Sequence, residues 1–181
     1  AVYAKAGDYL RIYEINPAVR QLAATAFSYL KESPAKIEVA MGDARLSMER
    51  EPPQQFDVLV LDAFSSDAIP VHLLTREAFA IYQRHLKPDG VIAVHISNRH
   101  LDLEPVVKKL ADHFKYQTAV IDFSEDSENW WLYSCTWVLV TNNQKLLQDS
   151  SIASATNPPK TNRAPVRLWT DDYSALFQVL D

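Results

Sequence analysis

Residues 56–62 read FDVLVLD, an apolar run that ends in a carboxylate. A short apolar run rich in β-branched residues predicts a strand buried on both faces, as in a parallel sheet covered by helices. An unpaired charge is costly inside such a core, so Asp62 is expected where the strand leaves it. The stretch therefore predicts an α/β fold with a polar group at the carboxyl end of a strand.

Two earlier apolar stretches also have a carboxylate at or just after their carboxyl end. Residues 9–15 (YLRIYEI) contain Glu14, and residues 36–41 (KIEVAM) are followed by Gly42-Asp43-Ala44. Alternating strands and helices predict a mainly parallel sheet, and ligands of such sheets bind beyond the carboxyl ends of the strands. The candidate site residues are those at the strand ends: Glu14, Asp43, Asp62 and Ser97.

The remaining elements follow from periodicity and from helix start and stop signals. Asn16 and Thr75 are predicted N-caps, and Pro88-Asp89-Gly90 is a predicted turn. We expect a single domain over residues 1–181, with residues 148–166 as a loop or linker because they are rich in Ser, Asn, Pro and Thr. The predicted helices are 17–31, 74–86, 103–114 and 171–180, and the later strands are 91–96, 117–123 and 137–141.

Composition excludes several classes of function. The formal net charge of −5 argues against a nucleic-acid module, which would carry a basic face, and suits a cationic small molecule as partner. The histidines lack metal-ligand spacing and there is one cysteine, Cys135, so no metal site is expected. No apolar run approaches the roughly 20 residues that span a bilayer, and a cytoplasmic location is the default expectation.

Glu14 and Asp43 suit a nucleoside. A carboxylate at the end of the first strand can accept hydrogen bonds from two ribose hydroxyls, because it offers two oxygens. Asp43 can accept from an adenine amino group. Each has a structural alternative, since Glu14 could cap the following helix and Asp43 could be an N-cap.

Asp62 opens the segment DAFSSDAIP (62–70), which also contains Asp67. Together the two carboxylates could bind a cationic amine and take a proton from it. The alternative is that Asp67 and its neighbouring serines are turn residues or helix caps.

At these residues the chain resembles the spermidine synthases, which are aminopropyltransferases. The resemblance rests on the Glu14-Ile15-Asn16-Pro17 element, Gly42-Asp43-Ala44, the strand ending in Asp62, and LKPDG at 86–90. DAFSSDAIPVHLLT (62–75) and WTDDYS (169–174) are more specific. They look like bacterial spermidine synthase-like proteins that are often fused to membrane transporter segments.

The resemblance implies a class I S-adenosylmethionine-type methyltransferase fold, which is Rossmann-like, and a function for each site residue. Glu14 would bind the ribose, and Asp43 with Ala44 the adenine. Asp62 would lie by the reacting sulfonium and amine. The implied activity is transfer of an aminopropyl group from decarboxylated S-adenosylmethionine to an amine, as in polyamine biosynthesis. The alternatives are an S-adenosylmethionine-dependent methyltransferase and a catalytically silent nucleotide-binding or regulatory domain.

Two departures qualify the resemblance. Spermidine synthases carry a second Asp three positions after the first, and here that position is Ser65, which leaves Asp67 as the nearest replacement base. The usual first strand and glycine-rich turn are also absent before Tyr9. Either the chain is a piece of a longer polypeptide, which is the favoured interpretation, or the sheet is rearranged. In the longer form a membrane segment would place this domain at the cytoplasmic face of the membrane, and a homodimer is a further expectation.

Overall fold

The computed structural model describes residues 1–63, 70–124, 132–158 and 165–180. Strands and helices alternate through most of the chain, which confirms the α/β prediction. The strands are β1 (Tyr9–Glu14), β2 (Lys36–Met41), β3 (Phe56–Leu61), β4 (Leu86–His95), β5 (Gln117–Phe123) and β6 (Cys135–Thr141). The helices are α1 (Pro17–Thr25), α2 (Ala44–Arg50), α3 (Arg76–His85), α4 (Glu104–His113), α5 (Gln144–Leu147) and α6 (Ser150–Ala155), with 3₁₀ turns at Val71–Leu73 and Leu176–Val179.

The described residues form two compact units, Ala1–Pro52 and Pro53–Asp181, each with its own sheet. The sequence predicted one sheet. The difference arises because β1 pairs with β2 and β3 pairs with β4, while no pairing joins β1 to β3 among the described strands. The expectation of one domain over residues 1–181 remains a prediction.

The first unit is built on the parallel pair β1 and β2, in register from Tyr9–Lys36 to Glu14–Met41. The ladder continues one step past the strands, because the Gly42 amide donates to the Glu14 carbonyl at 2.9 Å. Gly42 has φ +129°, a conformation that glycine adopts without a steric penalty. The chain can therefore turn sharply there into α2.

Helix α1 begins as predicted and ends early. The Asn16 side chain accepts from the Ala18 amide at 2.9 Å, which confirms the N-cap. The helix ends at Thr25 and not near Lys31. The Thr25 hydroxyl bonds back to the Gln21 carbonyl, and Ser28 starts a separate turn. Such side-chain bonds to the local backbone compete with the helix.

An ionic cluster ties β1 to the end of α2. Arg11 pairs with Glu51, and the Tyr13 hydroxyl donates to the same carboxylate at 2.8 Å. Arg11 also pairs with Glu38 of β2 at 3.0 Å. Burial, together with the hydrogen bond to Glu51, raises the pKa of Tyr13 to about 12. The cluster holds three elements of the first unit together.

The second unit has the strand order β3-β4-β6-β5. β3 and β4 are parallel, and β6 runs antiparallel to both of its neighbours, so three of the four strands point the same way. This agrees with a mainly parallel sheet. Core side chains at 0% exposure come from the central strands and from both long helices: Ile92, Val94, Val138, Val140, Tyr82, Val107 and Leu110.

Strand β3 is buried on one face, which corrects the prediction of burial on both. Leu59 and Leu61 are buried, whereas Val58 and Val60 are each 54% exposed. Alternate side chains of a strand face opposite sides of the sheet, so the described residues of this unit pack against one side of β3.

The predicted turn at Pro88-Asp89-Gly90 is an irregularity inside β4. The register shifts between the pairs Phe56–Leu86 and Val58–Val91, so β4 accommodates extra residues at this point. A Cβ on Gly90 would approach the Phe56 carbonyl to 3.0 Å, which explains why glycine occupies the position. The Thr141 hydroxyl donates to the Gly90 carbonyl at 2.8 Å and secures the bulge to β6.

Two predictions near the C-terminus also differ from the structure. Helix α6 lies within residues 148–166, where a loop or linker was expected, because the Asp149 side chain caps it by accepting from the Ser151 amide. After it, the Asn157 amide donates to the Val120 carbonyl of β5. The helix expected over residues 171–180 is a turn followed by the 3₁₀ segment Leu176–Val179.

The two most distinctive stretches of the sequence meet at the start of α3. Thr75 accepts from the Ala78 amide, as its predicted N-cap role requires, and donates to Asp171 Oδ1 at 2.8 Å. The Arg76 amide donates to the Trp169 carbonyl at 2.9 Å, and the Trp169 side chain is fully buried. Residues 169–174 are thereby fixed against the first turn of α3.

We expect Thr75→Val to lower the free energy of unfolding by about 2 kcal/mol, because it removes a helix cap and a buried hydrogen bond while keeping the side-chain shape. Chemical denaturation measures the change. Thr118→Val, on the half-buried strand β5, is the matched control and should be close to neutral. A loss below about 0.5 kcal/mol at Thr75 would contradict this description of the contact.

Candidate functional site

Glu14 and Asp43 lie together at the carboxyl edge of the first sheet. Parallel pairing places Glu14 opposite Met41, and the Gly42 amide bonds to the Glu14 carbonyl, so Asp43 follows directly at the same edge. The sequence placed Glu14, Asp43 and Asp62 at one edge of a single sheet. The first sheet brings Glu14 and Asp43 to the same edge, whereas Asp62 follows a strand of the second sheet.

Both carboxylates have local structural partners. Glu14 Oε1 accepts from the Asn16 amide at 2.7 Å, and Asp43 Oδ1 accepts from the Leu46 amide at 2.9 Å as the N-cap of α2. The N-cap alternative is thus observed for Asp43, whereas Glu14 bonds to the amide of Asn16, which is itself the N-cap of α1. A carboxylate has about four acceptor positions, so the bond to Glu14 Oε1 leaves acceptor capacity on Glu14 for the hydroxyl groups of a ligand.

Ala44 is the first residue of α2, directly after the cap. Its position follows from Gly42 and Asp43, which turn the backbone out of β2 and into the helix. The carboxylate oxygens at this edge suit a nucleoside, because ribose and adenine both present groups that donate hydrogen bonds to oxygen.

In the second unit, Asp62 follows β3 directly, and its side chain is 56% exposed. Asp62 Oδ1 lies 2.8 Å from His95 Nδ1, at the end of the neighbouring strand β4. His95 Nε2 lies 2.7 Å from Ser97 Oγ. We call Asp62, His95 and Ser97 the triad.

Strand β6 holds the triad in place. His95 pairs with Trp137 in the β4–β6 ladder, and the two rings stack with centroids 4.8 Å apart. The Thr136 amide donates to Ser97 Oγ at 2.8 Å, and the Ile96 amide donates to the Thr136 carbonyl. The His95 ring is therefore fixed at both nitrogens and on one face.

Sequence analysis identified Ser97 as a strand-end residue but missed His95 and the hydrogen bonds at both of its ring nitrogens. The signal was the spacing of His95 and Ser97, because residues two apart in a strand point to the same side. Asp67, predicted as the base, lies outside the described residues, as does Ser65.

A cleft of about 600 Å³ lies beside the triad at the carboxyl ends of β4 and β5. Ser97 and Thr136 line it, so the cleft reaches the Nε2 side of His95. Its charged lining residues are Arg99, Asp102, Glu104 and Asp122. Among the described residues there is no group of three or more side chains that could hold a metal ion.

The search of family models found no match. The polyamine aminopropyltransferase of Vibrio vulnificus (strain CMCP6) is 32% identical over 90 residues, which cover 49% of this chain and 29% of that protein. An N-terminal histidine N-methyltransferase of Emericella nidulans is 36% identical over 84 residues, which cover 46% of this chain and 15% of that protein. The chain thus spans under a third of the length of either curated relative.

Solved structures share the fold. A probable spermidine synthase from Corynebacterium glutamicum superposes with a TM-score of 0.52 at 18% identity, covering 87% of this chain and 75% of the other. A spermidine synthase in complex with the transition-state analogue AdoDATO gives a TM-score of 0.56 at 14% identity, covering 90% and 55%.

No helix among the described residues is long and apolar enough to cross a membrane. The fold is a Rossmann-like α/β fold that this chain shares with the spermidine synthase structures. The sequence likeness to an aminopropyltransferase and the shared fold bear out the resemblance to spermidine synthases that was drawn from the motifs. The likeness to proteins fused to membrane transporter segments stays a prediction.

Proposed function

We propose that this chain is part of an aminopropyltransferase that moves an aminopropyl group from decarboxylated S-adenosylmethionine to an amine. The observation that carries the proposal is the Asp62 carboxylate, which is exposed at the carboxyl end of β3 and held by His95. An anionic group in this position attracts an ammonium ion. The likeness to a polyamine aminopropyltransferase supports an amine as the acceptor.

The residues at the edge of the first sheet fit the nucleoside part of the donor. We assign Glu14 to the ribose hydroxyls and Asp43, with Ala44, to the adenine. The fit rests on acceptor capacity, since the described bond of Glu14 to Asn16 uses only Oε1. When bound, the donor supplies a methylene carbon activated by a positively charged sulfur.

The reaction requires a free amine lone pair. The nitrogen forms a bond to the methylene carbon, the carbon–sulfur bond breaks with its electron pair going to sulfur, and methylthioadenosine leaves. An alkylammonium ion with a pKa near lysine's 10.4 must first lose a proton, which costs roughly 4 kcal/mol at neutral pH. The Asp62 carboxylate attracts the cation electrostatically, and Asp67 is the base that the sequence suggests.

A methyltransferase is the second candidate function. It is favoured by the 36% identity to a named methyltransferase and by the fold, which both enzyme classes share. The two reactions release different nucleosides from different donors, so product identity separates them.

The central test is product formation. We expect the protein to release methylthioadenosine from decarboxylated S-adenosylmethionine only when an amine such as 1,4-diaminobutane is present. Asp62→Asn should slow this release by about 100-fold or more, because the neutral amide no longer stabilises the ammonium ion. Single-turnover chromatography of the nucleoside products measures both rates.

Asp57→Asn is the matched control, since Asp57 lies on the same strand and pairs with Lys87 at 2.6 Å. It should leave the rate unchanged. Release of S-adenosylhomocysteine from S-adenosylmethionine would instead establish the methyltransferase. No product from either donor would contradict the proposal and favour the silent domain.

The nucleoside assignment has its own test. Glu14→Gln should weaken binding of methylthioadenosine about tenfold or more, because hydrogen bonds to a charged acceptor contribute roughly 1.5–3 kcal/mol. Titration calorimetry measures the affinity. Glu32→Gln, at an exposed residue of the same unit that accepts from Ser28, is the control. Equal affinities for wild type and Glu14→Gln would remove Glu14 from the nucleoside site.

A further inference from the structure

The protons of the triad can be assigned from its geometry. An ionised Asp62 only accepts hydrogen bonds, so His95 Nδ1, 2.8 Å away, carries a proton. In the neutral imidazole Nε2 is then an acceptor, and the Ser97 hydroxyl donates to it across 2.7 Å. A hydroxyl, an imidazole and a carboxylate are thus hydrogen-bonded in series, as in Ser-His-Asp sites.

Ser97 retains one acceptor position. A hydroxyl has one donor and two lone pairs, and the Thr136 amide occupies one lone pair at 2.8 Å. The second lone pair is available to a donor in the cleft that Ser97 lines. An ammonium ion is such a donor.

The charges around the cleft suit a cation. Glu104 is 3% exposed and pairs with Lys108 at 2.7 Å, so this pair is close to neutral. The other charged lining residues are Arg99, Asp102 and Asp122, two acids against one base. Asp62 contacts the His95 ring at Nδ1, and Trp137 covers one ring face.

We propose that His95, acting through Ser97, accepts the proton of the amine substrate, and that a primary alkylamine occupies the cleft. This rests on the proposed aminopropyl transfer. One N–H bond of the ammonium ion breaks and its proton goes to Ser97 Oγ, while the Ser97 hydroxyl proton passes to His95 Nε2. Asp62 remains a carboxylate and stabilises the imidazolium. The freed lone pair then forms the carbon–nitrogen bond as the carbon–sulfur pair moves to sulfur.

Protonation of His95 breaks none of the hydrogen bonds of the triad. As an imidazolium it donates to both Asp62 and Ser97, and Ser97 can still accept from the Thr136 amide. Histidine is also the side chain that most often serves as a general base in enzymes. The triad thus supplies a proton acceptor, although Ser65 stands where the spermidine synthases carry a second Asp.

Substitutions at His95 and Ser97 separate proton acceptance from positioning. His95→Asn can keep a donor to Asp62 but cannot take a proton, and Ser97→Ala breaks the link to the cleft. We expect both to lower the single-turnover rate at pH 7 by 100-fold or more. Between pH 7 and 9 their rates should rise about tenfold per pH unit, as free amine increases, so the deficit shrinks. Ser97→Thr keeps the hydroxyl and should retain most of the activity.

His113→Ala, at the exposed end of α4, is the control and should stay near the wild-type rate. An active His95→Asn, a loss that is the same at every pH, or a pH-dependent loss at Asp67 in place of His95 would each overturn the proposal. If His95→Asn does not fold, Ser97→Ala provides the test, because that variant keeps the His95 ring that stacks on Trp137. A wild type inactive with every donor refutes the proposed function and this inference with it, whereas an active wild type with unaffected variants refutes the inference alone.

Discussion

The hydrogen bond between Asp62 Oδ1 and His95 Nδ1 joins the ends of two adjacent parallel strands. It depends on the parallel pairing of β3 and β4, which brings their carboxyl ends to one edge. It also depends on β6, whose antiparallel course places Trp137 beneath the ring and the Thr136 amide against Ser97. The strand order of the second unit therefore determines the protonation chemistry available at that edge.

Much of this arrangement was predictable from local patterns. The strand ends at Glu14, Asp43 and Asp62 follow from apolar runs that stop at a carboxylate, and the caps at Asn16 and Thr75 follow from side-chain chemistry. These features depend on residues a few positions apart. Ser97 was also identified as a strand-end residue, but its partners were not.

The features that sequence reasoning missed depend on pairings between distant strands. His95 meets Trp137 only because β6 enters the sheet between β4 and β5, and a pattern of successive strands does not specify that order. The division into two sheets likewise depends on which edges pair. Val58 and Val60 are exposed although their sequence is typical of a strand buried on both faces, because burial is decided by the neighbouring layer and not by the strand itself.

The tautomer of His95 tests the central claim most directly, because it reports the Asp62 and Ser97 contacts without requiring turnover. Long-range ¹H–¹⁵N correlation spectra, recorded where the His95 ring is neutral and assigned by comparison with His95→Asn, distinguish the two tautomers. The triad predicts that the proton resides on Nδ1, with Nε2 as the acceptor from Ser97. A proton on Nε2 in the neutral ring would contradict the geometry, and with it the role of His95 as a base reached through Ser97.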